Sequence, residues 1–125
     1  MASFPGIKME RRRSIETLAG EVINSVCFVE DYVEIHFNGP ILRCLANPVL
    51  KLRGETFAFP APGSRDALCS IIGFQVAELE IQDEIAIRLR LDPDGTLSVP
   101  LDQESRVGSE AAHFVSVIDN VMDVW

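Results

Sequence analysis

The chain has 125 residues and a net charge of −8, with 47% hydrophobic and 24% charged residues, a balance that folds as one domain with a real core rather than staying disordered. No apolar run approaches the about 20 residues of a membrane helix, and "MASFPGIKMERRRS" lacks the apolar centre and cleavage site of a secretory signal, so the expectation is a cytoplasmic protein without membrane association. Four of the eleven basic residues and one of the nineteen acidic ones lie at 1–13, leaving 7 against 18 in the rest, a net charge of −11; such a body repels nucleic-acid backbone and favours a protein partner with a basic surface.

In chain order, residues 1–13 read as a flexible basic leader around "KMERRR", and 14–125 as a single domain. "SIETLA" after Ser14 has helical character, starts on a Ser able to cap it, and ends at Gly20. A hairpin follows, with Val26 and Phe28 facing in, an acidic turn at Glu30-Asp31, and Val33, Ile35 and Phe37 returning. Asn38-Gly39 is the dipeptide of a tight type I′ turn, and "ILRCL" makes the third strand. In "ANPVLKLRGETFAFPAPG" one more short strand is expected at 49–52, confined to an edge by the surrounding prolines.

The pattern then returns. "SRDALCSII" begins on Ser64 and ends at Gly73, and "AELEIQDEIAIRLRL" alternates strictly, with Leu79, Ile81, Ile85, Ile87, Leu89 and Leu91 on one face. If Ile81 opposes Ile85 across a turn at Gln82-Asp83-Glu84, the outer Glu and Arg residues become cross-strand partners. "DPDG" at 92–95 is a turn, and "TLSVPL" is the third strand of this copy. Matching Ile41 with Leu97 puts Arg43 opposite inward Val99, so Arg43 either snorkels to an edge or answers a buried acid.

The fold expected is mainly β with short helices. It is an internal duplication of a helix-plus-three-strand antiparallel meander, with pseudo-repeats at 14–45 and 64–101, packed as a small sandwich or partly open barrel. The extension 102–125 reads as one helical turn in "SEAAHF", capped by Ser109, then a final strand pair turning at Asp119-Asn120.

Catalytic signatures are absent from the sequence: no nucleophile elbow, phosphate loop or dinucleotide fingerprint. Cys27, Cys44 and Cys69 have no metal-ligand spacing and sit among apolar neighbours, as buried structural thiols do. The acidic pairs Glu30-Asp31 and Asp83-Glu84 read as turn residues, so no metal, cofactor or catalytic residue is assigned. His36, alternating with Glu34 on an outward face, reads as solvated. The binding candidates are Arg43, Glu110, His113 and Trp125: Glu110 and His113 share a face if helical, and Trp125 is a core plug or a partner anchor.

The block L-x-G-x-x-[IV]-x-x-V … V-x-I-x-F-x-G … L, used twice and followed by "EAAHF" and Trp125, resembles a group of small bacterial proteins. Some of that group, of comparable size, are encoded beside polymorphic toxins as immunity proteins. The acidic body, the double-meander scaffold and the absence of catalytic groups point to a non-catalytic acidic protein-binding module; the resemblance implies that it is of immunity or adaptor type and carries over no site residue. The alternative is a small-molecule binder or modest enzyme, with a cleft between the two repeats lined by Arg43, Glu110 and His113. A third is a homo-oligomer pairing through edge strands.

Overall fold

The computed structural model describes residues 14–116 and 121–125; the basic leader and the expected turn at Asp119-Asn120 lie outside the described residues. Among the described residues the strands are β1 (Ser25–Val29), β2 (Tyr32–His36), β3 (Ile41–Cys44), β4 (Val49–Leu52), β5 (Glu55–Ala58), β6 (Gln75–Gln82), β7 (Ala86–Asp92), β8 (Thr96–Pro100), β9 (Ala112–Ser116) and β10 (Val121–Val124). They form two five-stranded antiparallel sheets, in the orders β10-β9-β3-β2-β1 and β5-β4-β8-β7-β6. A 3₁₀ turn at Ser14–Leu18 and the helix α1 (Ser64–Cys69) complete the mainly β architecture.

Each sheet is a meander of three consecutive strands with a hairpin from elsewhere in the chain added to its third strand. β4–β5 leaves the first meander to pair with β8, and β9–β10 leaves the second to pair with β3. One continuous core lies between the sheets, built from inward residues such as Ile35, Leu42 and Phe114 of one and Leu50, Leu89 and Leu97 of the other. The period-two pattern buries one face of the inner strands β2, β3, β4, β8 and β9, and the facing sheet covers it, whereas the edge strands β1 and β5 carry no fully buried residue. The 3₁₀ turn packs Ile15 and Leu18 beside β6, β9 and β10, while α1 packs Ala67 and Leu68 against β1, β4 and β5.

The segments leading into the two meanders meet each other. Gly20 N donates to Val76 O at 2.7 Å, Val76 N to Glu21 O at 2.8 Å, Ile23 N to Phe74 O at 2.8 Å and Gly73 N to Ile23 O at 2.8 Å. Gly20 and Gly73 hold φ of 93° and 97°, left-handed values that glycine adopts without strain, and these let the chain leave each helical turn and enter the pairing.

Several sequence expectations are corrected. Ile81 opposes Ile87, not Ile85; the turn is Asp83-Glu84-Ile85, so Ile85 is exposed. Glu80–Arg88 and Glu78–Arg90 become the cross-strand ion pairs, at 3.2 and 3.0 Å. Leu42 and Cys44 are the inward residues of β3, like Leu97 and Val99 of β8, so Arg43 aligns with outward Ser98 rather than with Val99.

The Asn38-Gly39 turn is not type I′, since Gly39 has positive φ and Asn38 does not. Arg53 and Gly54, with φ of 52° and 76°, form the two-residue turn of that hand between β4 and β5. β4 is consequently an inner strand: Pro48 and Pro60 lie outside its ladder, and β5 takes the edge. Ser64 does not cap α1 with its side chain; it is the first helical residue, buried after Gly63. "EAAHF" is not helical, because Ala112 to Phe114 pair with β3; the short turn is Gln103–Ser105, capped by Asp102. The expected final strand pair is present as β9 and β10.

Ile35 has no exposed surface, whereas Leu79, on edge strand β6, is half-buried. Ile35→Asp forces a carboxylate into the core and is expected to abolish the cooperative urea transition followed by circular dichroism. Leu79→Asp is expected to lower the midpoint while keeping a cooperative transition. A wild-type midpoint for Ile35→Asp would contradict the register.

Candidate functional site

On the outer face of the first sheet, Cys27, Glu34, Arg43 and His113 stand opposite one another in successive strands, one row across β1, β2, β3 and β9. Side chains directly opposed in an antiparallel sheet have Cβ atoms about 5 Å apart, so residues from two distant stretches of sequence, 27–43 and 113, are brought into contact. Arg43 Nε donates to Glu34 Oε2 at 2.8 Å, and Arg43 Nη1 lies 3.1 Å from His113 Nδ1. His113 Nε2 is 2.6 Å from Glu110 Oε1, and His36 Nε2 is 2.9 Å from Glu34 Oε1. The result is a continuous chain, Glu110–His113–Arg43–Glu34–His36.

The donors fix the proton positions. A guanidinium only donates, so His113 Nδ1 accepts from Arg43 and its Nε2–H donates to Glu110. His36 Nε2–H donates to Glu34 in the same way. Glu34, with a side chain 13% exposed, is held at both oxygens. Burial pushes its carboxyl up, but the hydrogen bonds from Arg43 and His36, together with their charges, outweigh burial and hold it below the usual carboxylate value. The pairs on the outer face of the second sheet are more open, with Glu78 71% exposed, so solvent screens them.

The structure brings three of the four sequence candidates together and places the fourth, Trp125, elsewhere. Arg43, Glu110 and His113 do converge, but on the outer face of one sheet and not in a cleft between the halves, which corrects that expectation. The groove that does lie between the 3₁₀ turn and β6, about 300 Å³, is lined by Glu16, Ala19, Leu79 and Ile81. The Glu110–His113 bond forms although the segment is extended, because Glu110 sits in the loop immediately before β9. Trp125 is half-buried against the core, with its backbone N donating to Ala112 O at 3.0 Å. This is the plugging position.

Sequence reasoning missed Glu34, and it read His36 as solvated although His36 is half-buried and bonded. The signal was E-x-H on a strand, with Arg43 a short turn away. The cysteines also differ from expectation: Cys44 alone is buried, Cys27 is half-buried on the outer face and Cys69 is exposed.

Glu110 also borders a second groove, of about 310 Å³, formed with Asp31, Tyr32, Leu45 and Val107 where the β1–β2 turn meets the 107–110 loop. Its lining is mixed: Tyr32 and Leu45, both half-buried, and the exposed Val107 supply apolar surface, and Asp31 and Glu110 supply two carboxylates.

Because the folded state depresses the Glu34 carboxyl, its stabilising contribution is present above the ordinary value of 4.5 and is lost as pH falls through the folded value. Glu34→Gln is expected to lower Tm at pH 7 in chelator-containing buffer, with the gap to wild type closing on acidification. Burial, and then the nearby Glu34 charge, pushes the Cys44 thiol up to about 12. Alkylation of the native protein should therefore modify Cys69 first, Cys27 more slowly, and Cys44 only on unfolding; mass spectrometry of the labelled peptides reads the order. No protein-family model, curated protein or solved structure matches the chain significantly.

Proposed function

We propose that this chain is a non-catalytic acidic binding module, of immunity or adaptor type, that docks a basic segment of a protein partner in the groove between Asp31 and Glu110. The observation that carries the reading is that Tyr32, Leu45 and Val107 meet the carboxylates of Asp31 and Glu110 around a space of about 310 Å³, a size and chemistry suited to a lysine or arginine side chain with its apolar stem.

The charge balance supports it. Arg43, Arg88 and Arg90 are held by carboxylates, Arg106 by the carbonyls of Leu101 and Ser109, and Arg65 over the rings of Phe59 and Phe28. Cations of the body are thus largely engaged internally, and the excess of acidic residues faces outward, where it steers a basic partner. The three free thiols support a reducing, cytoplasmic setting.

The scaffold for this module is an internal duplication. What supports it is that each of the four bonds between residues 20–23 and 73–76 has a mate displaced by 53 residues with the partners exchanged. Cross-strand pairs match in the same way: Val26–Ile35 with Leu79–Leu89, and Ile35–Leu42 with Leu89–Leu97. The displacement grows from 53 to 54 and then 55 because each turn of the second copy is one residue longer. Ile15 and Leu18 likewise correspond to Leu68 and Ile71.

Affinity capture from the native cell extract tests the function. The wild-type protein is expected to retain a stoichiometric partner at low salt and release it as salt rises. Asp31→Lys, an exposed change, is expected to lose the partner without a change in Tm. Recovery of the protein alone, only with itself, or with a partner unaffected by Asp31→Lys would overturn the reading.

A further inference from the structure

We propose that Cys27, Glu34 and His36 form a binding site for a divalent cation of the zinc class on the outer face of the first sheet. The Cys27 Sγ, a Glu34 carboxylate oxygen and a His36 ring nitrogen all lie within 4.8 Å of one another, and all three residues are half-buried. Two strands suffice to build the cluster: Cys27 and Glu34 are a directly opposed pair of β1 and β2, and His36 follows Glu34 by two residues on the same face.

The donor set selects the ion. A thiolate, an imidazole and a carboxylate suit a borderline cation rather than magnesium or calcium, which take oxygen ligands. Tetrahedral zinc with bonds of about 2.0–2.3 Å needs donor atoms about 3.3–3.6 Å apart. Glu34 Oε1 and His36 Nε2 stand 2.9 Å apart, joined by one hydrogen bond. Small rotations of Cys27 and His36 therefore bring all three donors onto one centre, and the half-exposed setting leaves the fourth position to water.

Binding balances in protons and charge. The Cys27 thiol releases its proton to solvent, and the imidazole carries its proton on Nδ1 instead of Nε2, so that both donors present a lone pair. Arg43 stays on Glu34 Oε2 at 2.8 Å and orients the carboxylate from outside the ligand set, as outer partners of metal ligands do. Thiolate and carboxylate together match the charge of a dication, and the acidic body offsets the Arg43 charge.

The site is independent of the docking groove, because Cys27→Ser leaves Asp31 and Glu110 in place. The test is titration of the reduced, metal-free protein with Co²⁺, followed by the thiolate-to-cobalt charge-transfer absorption and by displacement with Zn²⁺. Wild type and Cys69→Ser are expected to develop the band at one equivalent. Cys27→Ser, close to isosteric, is expected to abolish it, and His36→Ala to weaken binding by at least the about 10–100-fold typical of outer-partner losses. Zn²⁺ should raise Tm in the wild type and not in Cys27→Ser. Absence of the band in the wild type, its persistence in Cys27→Ser, or its loss in Cys69→Ser would overturn the assignment, the last by placing the cation on the exposed thiol.

Discussion

A β-sheet with one apolar face has to have that face covered, and neither meander of this chain is wide enough to do so for itself. The backbone pairing of residues 20–23 with 73–76 is where the solution begins. It sets the two meanders against each other at one corner, with a polar main chain satisfied by the opposite half instead of by water. From that corner the two hairpins cross over, each widening the sheet begun by the other half. Residues far apart in sequence, such as Leu42 with Phe114 and Leu50 with Leu97, become neighbours only through this exchange. Each sheet is therefore completed by strands the other half of the chain supplies, and the core is shared.

The crossing of β9 onto β3 has a second consequence on the outside. It places His113 beside Arg43, and Arg43 is already opposite Glu34. A row of polar side chains that would be loose on a three-stranded meander becomes a connected chain, with each donor matched by an acceptor. Such networks hold their members in one geometry because every broken link leaves a desolvated partner behind. Sheet strength and surface chemistry thus come from the same strand exchange. The second sheet lacks this feature: its outer Glu–Arg pairs are local to one hairpin and open to solvent.

The two proposed sites lie at opposite ends of this row and share no residue. The groove between Asp31 and Glu110 is at one end, where the network fixes Glu110 through His113. The cluster of Cys27, Glu34 and His36 is at the other, where the network fixes Glu34 through Arg43. In each case a buried or half-buried partner orients a carboxylate that faces outward. Orientation of this kind lowers the entropy lost on binding, whether the guest is a side chain or an ion.

Much of the architecture was legible in the sequence. Strict alternation in "AELEIQDEIAIRL" gave the hairpin and its inward face, and Gly20 and Gly73 marked the entry to each meander, because period and left-handed backbone are local properties. The errors were local too. Ile85 reads as a strand residue because alternation continues into a turn that uses Glu84 at a positive φ of 67°. Arg43 reads as inward because one residue of turn length shifts a strand to its other face. Glu34 and His36 are not legible as partners, since a half-buried ion chain looks, in one dimension, like any solvated face.

The sequence by itself therefore determined which residues alternate, where the chain turns, and that the body is acidic. Only the tertiary structure decided which hairpin joins which sheet, and with it the meeting of Glu110 and His113 with the Arg43, Glu34, His36 and Cys27 of the first meander. The reason is physical: strand period is written into neighbouring residues, whereas strand partnership is chosen by the burial of a shared core.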